Sequence, residues 1–140
     1  MDNYVSELLA GIKSSYVKYS FNVHYNLDIT DKQIPIGLAI PLGLILNELI
    51  TNAYKYAFTD SLEKEKKIDI RFHELENTTT YRLVVKDNGK GLPANFDVDK
   101  LSSFGLQLVY GLTEQLLGEI VITRDKGTTF TLLLKEPQEA

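Results

Sequence analysis

Apolar residues recur along this chain with two different spacings. From Phe21 to Ile29 every second residue is apolar, which is typical of a half-buried strand, and His24 falls on its polar side. In other segments apolar residues lie three and four positions apart, which is typical of a helix with one buried face. Taken in order, these patterns predict a helix, a strand, a helix, two strands, a polar segment, a helix and two strands.

Three segments have the helical spacing. The first predicted helix occupies residues 1–20. The second is predicted from near Pro41 to near Phe58, because a proline suits the first turn of a helix, where its missing N–H costs little. The third is predicted over Phe104–Leu117, with Gly118 as the residue that stops it.

The later strands form two predicted pairs, each joined by a short polar segment. They lie at Ile68–Leu75, Tyr81–Val85, Glu119–Thr123 and Thr128–Leu134. Helices would then gather on one face of a sheet whose strands mostly pair with their neighbours. The expected fold class is α+β, a two-layer sandwich built by residues 1–140 as a single domain.

Composition excludes several classes of function. The 140 residues carry a net charge of −4, so nucleic acid is not expected as a partner. With no cysteine and only two histidines, neither a thiolate nor a histidine-rich metal site is expected. The longest apolar run, Ile34–Leu46, is shorter than the roughly 20 residues that span a bilayer. No signal peptide is present, so we expect a cytoplasmic domain without membrane contact.

The stretch Asn47–Tyr56 combines a buried stripe with an unusual polar one. Glu48, Thr51, Asn52 and Lys55 share one side of the predicted helix, opposite the apolar residues. A solvated face is the ordinary interpretation of such a stripe. Asparagine is a poor helix former, however, and two occur within six residues here.

Three glycine-containing segments follow. Asp87–Gly91 comes directly after a strand, where glycines let the backbone approach a ligand, although Asn-Gly is also a strong turn signal. A buried Asp87 carboxylate there could accept a hydrogen bond from an exocyclic amine. Ser103–Leu106 opens a helix whose N–H groups suit phosphate, and Gly127-Thr128 lies in a hairpin. Each segment alone also fits a turn or a cap.

Together these motifs resemble the ATP-binding domain of sensor histidine kinases. That domain belongs to a superfamily shared with DNA gyrase B, the heat-shock chaperone ATPase and MutL. The order N-E-L-x-x-N-A-x-K-Y, D-x-G-x-G, S-x-G-L-x-L and G-T-x-F carries the resemblance, which covers roughly Phe21 to Leu134. The residues of these motifs are similar to those of histidine kinases with a second-type dimerisation segment, a subfamily near the HWE kinases. The resemblance implies a Bergerat-type fold, with a mixed sheet covered on one face by helices.

The resemblance also implies roles at the first motif. Asn52 matches the asparagine that coordinates the Mg²⁺ bridging the ATP phosphates, and Mg²⁺ needs few protein ligands because it keeps several waters. Glu48 matches the acid that orients or deprotonates the attacking group, which makes it the implied catalytic residue. Lys55 matches a residue that meets phosphate, and Tyr56 belongs to the implied nucleotide-binding set.

The remaining motifs are implied to surround the base and the phosphates. Asp87 matches the aspartate that receives the adenine amine, with Gly89 and Gly91 around the base and Thr128 near it. Residues 92–103 match the lid over the nucleotide.

The S-x-G-L-x-L motif matches the second glycine box of the family. Within it, Gly105 and Leu106 match positions whose backbone contacts phosphate. The second glycine of the commoner G-L-G-L form is here Gln107, which reduces the possible backbone contacts to phosphate.

No histidine lies in residues 1–20, and His24 and His73 fall in predicted strands. The resemblance therefore implies the catalytic domain of a larger kinase. Its phosphoacceptor and dimerisation segment would lie outside this chain, with a response regulator downstream. Two alternatives stay open: an anti-sigma-type serine kinase, and a nucleotide-binding module without catalysis.

Overall fold

The computed structural model describes residues 23–30, 34–54, 66–76, 78–89, 104–124 and 126–135, together with Glu7. Two predicted features lie outside these ranges apart from Glu7, namely the helix at residues 1–20 and the lid at residues 92–103. The predicted site residues Lys55, Tyr56 and Gly91 also lie outside them.

The described elements follow the predicted order. In sequence they are β1 (Val23–Ile29), α1 (Ile36–Asn52), β2 (Lys66–Glu74), β3 (Thr80–Asp87), α2 (Phe104–Gln115), β4 (Glu119–Arg124) and β5 (Thr128–Lys135).

The five strands form one mixed sheet in the order β1-β2-β3-β5-β4. The β1–β2 pair is parallel and the other three pairs are antiparallel. Alternate residues of each central strand point to one face, where they join the buried residues of both helices in a single core. The predicted α+β sandwich, with helices on one face of the sheet, is confirmed.

Helix α1 begins earlier than predicted. The carbonyl of Pro35 accepts hydrogen bonds from the N–H groups of Leu38 and Ala39, at 2.9 and 3.1 Å, so the helix starts at Ile36. The predicted start near Pro41 is therefore wrong, because Pro35 already provides the entry and Pro41 lies inside the helix. The loss of one internal N–H is tolerated there. The predicted end near Phe58 lies outside the described residues.

The apolar run Ile34–Leu46, which contains the start of α1, places apolar residues on both the inward and the outward face of the helix. Its inward residues are buried, and these are Leu38, Leu42, Ile45 and Leu46. Ile36, Ile40 and Leu44, spaced four residues apart, lie outward and are 91%, 70% and 42% exposed. Within the described part of the chain, neither helix has the length and apolar character needed to cross a membrane.

Helix α2 ends two residues before its predicted limit, through a Schellman motif. Gly118 N–H donates to the Thr113 carbonyl at 2.9 Å, and Leu117 N–H donates to the Glu114 carbonyl at 3.0 Å. The residue with positive φ is Leu117, at 53°, rather than Gly118. Gly118 is needed for space, because a Cβ there would overlap the Leu133 carbonyl oxygen in β5.

Two glycines near this helix provide a matched test of the packing. Gly111 has no neighbour near its Cβ direction, so we expect Gly111→Ala to raise the free energy of unfolding by about 0.5–1 kcal/mol. We expect Gly118→Ala to lower it by about 1–3 kcal/mol, because the added methyl group displaces β5. Urea unfolding of both variants measures the difference. Equal stabilisation by the two alanines would contradict this packing of α2 on β5.

Candidate functional site

The end of the central strand β3 carries a buried acid, and the strand extends two residues beyond its predicted end at Val85 to include it. Asp87 is the last residue of β3 and is 7% exposed. Its Oδ1 accepts hydrogen bonds from the N–H of Gly89 at 2.9 Å and from the N–H of Thr128 at 3.2 Å. Hydrogen bonds from backbone N–H groups favour the charged form of a carboxylate, so this geometry suits an acceptor at the strand end.

Thr128 and the glycine before it form the wall beside this carboxylate. Strand β5 runs antiparallel to β3 with Lys86 opposite Thr129, which brings the start of β5 against Asp87. Gly127 has φ of 123°, and a Cβ there would overlap the Asp87 carbonyl oxygen. From the sequence this glycine was assigned only to a hairpin turn. The close approach to Asp87 is a second requirement, and the G-T-x-F motif was the available signal.

Asn88 closes the other side of the site. Its Oδ1 accepts from the Lys67 N–H at 2.8 Å, and its own N–H donates to the Lys67 carbonyl at 3.2 Å. These two bonds extend the β2–β3 pairing, so β2 starts at Lys66, two residues before the predicted strand. Lys66, which lies before the predicted strand Ile68–Leu75, is buried. The Asn-Gly pair that follows Asp87 thus shapes the strand end through its bonds to Lys67 and Asp87.

A second group of polar residues lies at the end of α1. Glu48 and Asn52 are half-buried and one helical turn apart. Among the described residues, the Asn52 side-chain nitrogen is the one buried polar side-chain atom without a hydrogen-bond partner. Thr51 lies between them and donates its hydroxyl to the Glu48 carbonyl at 3.1 Å. The three described residues of the predicted polar stripe are thus half-buried rather than fully solvated.

The end of α1 lies at the same end of the sheet as Asp87. Asn52 is followed by Ala53 and Tyr54 in a wider, π-type turn. The Tyr54 hydroxyl hydrogen-bonds to the Tyr25 hydroxyl of β1 at 2.9 Å. Tyr25 is opposite Ile68 in β2, and Ile68 is opposite Asp87 in β3. One row across the sheet therefore connects the helix end to the buried acid, over strand spacings of about 4.8 Å each.

The second glycine box begins the other helix. Gly105 lies in the first turn of α2, and Leu106 is buried next in the chain. Gln107 is exposed. Of the predicted site residues, the structure places Asp87, Gly89 and Thr128 in direct contact through hydrogen bonds.

A family model described as histidine kinase-, DNA gyrase B-, and HSP90-like ATPase matches residues 37–138. The chain belongs to this ATPase family. The match spans most of α1 and all later elements, so it contains every candidate site residue. The family predicted from the order of the motifs is confirmed.

Two curated relatives of this ATPase domain are sensor kinases. Blue-light-activated histidine kinase 2 of Erythrobacter litoralis is 26% identical over 130 residues, which are 93% of this chain and 36% of the relative. Sensor histidine kinase PdtaS of Mycobacterium tuberculosis is 34% identical over 97 residues, 67% of this chain and 19% of the relative. The chain thus spans about a third or less of the length of these relatives.

Solved structures show the same fold. The histidine kinase domain of the Erythrobacter litoralis EL346 blue-light activated histidine kinase superposes with a TM-score of 0.80 at 23% identity. The superposition covers 94% of this chain and 63% of that chain. The chain is thus a histidine kinase-like ATPase domain, homologous to the catalytic domains of sensor histidine kinases.

The wall beside Asp87 can be tested through its glycine. We expect Gly127→Ala to lower the free energy of unfolding by about 1–3 kcal/mol, because φ of 123° is strained for alanine and the methyl group meets Asp87. In ¹H–¹⁵N spectra the amide resonances of Gly89 and Thr128, which share Asp87 Oδ1, should shift together. Gly111→Ala is the control, since it adds the same atom in open space. Unchanged amide resonances in Gly127→Ala would refute the contact.

Proposed function

We propose that this ATPase domain binds Mg-ATP between the end of α1 and the end of β3, and transfers the γ-phosphoryl group to a histidine on a dimerisation segment outside this chain. Binding of ATP is what the family supports. The transfer to histidine rests on the kinase relatives. The observation that carries the proposal is the buried, hydrogen-bonded Asp87 at the same sheet end as Asn52.

At the base end, Asp87 is the proposed acceptor for the adenine exocyclic amine. Its Oδ1 is oriented by Gly89 and Thr128, so the carboxylate is held in one position before a ligand arrives. A fixed acceptor loses little rotational freedom on binding, which favours affinity. Gly89, Gly91 and Thr128 are the proposed neighbours of the base, and the absence of side chains at the glycines lets the backbone approach it.

At the phosphate end, Asn52 is the proposed ligand of Mg²⁺. Its side-chain amide has one buried atom without a partner among the described residues, and the oxygen and nitrogen of an amide exchange places when the group rotates. One orientation presents the oxygen, which is the hard ligand that Mg²⁺ prefers. The residue therefore fits the metal. Bound there, Mg²⁺ would neutralise charge on the phosphate oxygens.

The other site residues have proposed supporting roles. Glu48, one turn before Asn52, would orient or deprotonate the attacking imidazole. Lys55 and Tyr56, which follow the end of α1, and the backbone at Gly105 and Leu106 would contact the nucleotide and its phosphates. Phosphoryl transfer needs positioning and charge neutralisation more than a protein nucleophile, and these groups supply both.

The partners follow from the same proposal. The phosphoacceptor histidine would be carried by the dimerisation segment of the same parent protein, and a response regulator would receive the phosphoryl group next. Both reactions place the domain in the cytoplasm, where ATP is available. The lengths of the two kinase relatives leave room for such segments outside the region this chain matches.

The base site is tested by titration calorimetry of ATP with and without Mg²⁺. We expect Asp87→Asn to weaken ATP binding at least tenfold, because the amide replaces a charged acceptor of the amine, while circular dichroism shows a folded domain. Asp69→Asn is the matched control, since the Asp69 carboxylate also accepts a hydrogen bond, here from the Asn26 side chain, but lies on the opposite face of the sheet. Equal affinities in wild type and Asp87→Asn would reject the assignment of the base site.

The reaction is tested by mixing the domain with its parent dimerisation segment and γ-labelled ATP. We expect label on a histidine, lost in acid and kept in base. Glu48→Gln should slow transfer at least tenfold while leaving ATP affinity unchanged, because its proposed role concerns the attacking group. Acid-stable label on a serine would instead support the serine-kinase alternative. ATP binding without transfer to any acceptor would support the non-catalytic module.

A further inference from the structure

The hydroxyl pair Tyr25–Tyr54 joins two parts of the site that are far apart in sequence. Tyr54 follows Asn52 by two residues, at the end of α1, and Tyr25 lies in β1. The two hydroxyl oxygens are 2.9 Å apart. Tyr54 is buried in the core and Tyr25 is half-buried against it. A helix end is ordinarily the part that frays, and here a side-chain hydrogen bond links it to the sheet.

Tyr25 also shares a row of the sheet with the proposed base site. It lies opposite Ile68, which lies opposite Asp87. The strands between them are fully paired, so this row is rigid compared with a helix terminus. The Tyr25 hydroxyl therefore has a fixed position relative to Asp87. Its hydrogen bond to Tyr54 fixes the end of α1 relative to the same row.

We infer that the Tyr25–Tyr54 hydrogen bond is a positioning element that sets the location of the Asn52 amide relative to Asp87. This inference rests on the proposed function, in which Asn52 serves the metal and Asp87 the base. Residues two apart on a helix point to opposite sides, so Tyr54 holds the helix end against the sheet while Asn52 lies on another side of it. Neither tyrosine needs to touch the nucleotide.

The chemistry of the pair suits this role. Burial raises the pKa of the Tyr25 hydroxyl, and the hydrogen bond to Tyr54 raises it further. The Tyr25 hydroxyl therefore keeps its proton at neutral pH, and the 2.9 Å contact with the Tyr54 hydroxyl is a hydrogen bond between two side chains of the folded core. Displacement of the Asn52 amide oxygen would weaken Mg²⁺ binding in particular, because this ion demands near-ideal octahedral geometry.

The measurement is the ratio of ATP dissociation constants in EDTA and in Mg²⁺, determined by calorimetry. We expect wild type to bind more tightly with Mg²⁺ and Asn52→Ala to bring the ratio close to one. Tyr25→Phe and Tyr54→Phe should each lower the ratio at least threefold while the affinity in EDTA stays within twofold. Adding Tyr54→Phe to Asn52→Ala should change the ratio no further, because the amide it positions is gone.

The matched control is Tyr81→Phe. Tyr81 is also buried in the core, with its ring stacked on Phe72 at 5.1 Å, but it lies near the opposite end of β3 from Asp87. Its removal should leave the ratio unchanged. The double variant with phenylalanine at positions 25 and 54 separates stability from positioning. It replaces both partners of the Tyr25–Tyr54 hydrogen bond by apolar groups, so its stability should match or exceed that of the single variants while the ratio stays low.

A readout without nucleotide separates the two proposals. The side-chain NH₂ resonances of Asn52, identified by their loss in Asn52→Ala, should shift in Tyr25→Phe and Tyr54→Phe and stay in place in Tyr81→Phe. Unmoved Asn52 resonances, or an unmoved ratio in both single variants, would overturn the positioning role and leave the proposed function intact. A wild type with no Mg²⁺ dependence would instead remove the proposed metal site, and the positioning role with it.

Discussion

The buried carboxylate of Asp87 imposes the strongest constraint on this domain. A charge removed from water needs hydrogen bonds that replace its hydration, and two backbone N–H groups provide them. One comes from Gly89, just beyond the strand, and the other from Thr128 at the start of β5. The second requires β5 to lie beside β3, so β4 is placed at the edge although it precedes β5 in the chain. Gly127 must then lack a side chain, because it passes over Asp87.

The end of α1 shows the opposite kind of constraint. A buried amide atom without a partner costs about 1–3 kcal/mol, and folded proteins retain few such atoms. The apolar side of the helix offsets that cost, with Leu42, Ile45 and Leu49 buried against the sheet. The stability of the core thus allows one polar group at the helix end to remain unsatisfied. In the proposed function, this group is the ligand that the Mg²⁺ ion uses.

Much of the fold follows from the spacing of apolar residues, and the exceptions have local causes. The strands and the start of α2 fall close to their predicted limits because each has a regular pattern. The start of α1 was misplaced because the run from Ile34 to Leu46 is apolar on both faces and hides the helical period. Leu27 falls on the apolar side of the predicted strand Phe21–Ile29 and is 36% exposed, and β1 lies at the edge of the sheet among the described strands.

The sequence by itself determined the family, the order of the described elements and the position of Asp87 at the end of a strand. These depend on residue types at short spacings, which pattern and motif preserve. Only the tertiary structure decided that Gly127 borders Asp87, that Asn88 extends β2 back to Lys66, and that Tyr25 meets Tyr54. Each of these contacts joins residues distant in sequence, and its existence depends on strand order and register. Such contacts produce no repeating pattern in the sequence, because each contact needs only one residue from either segment.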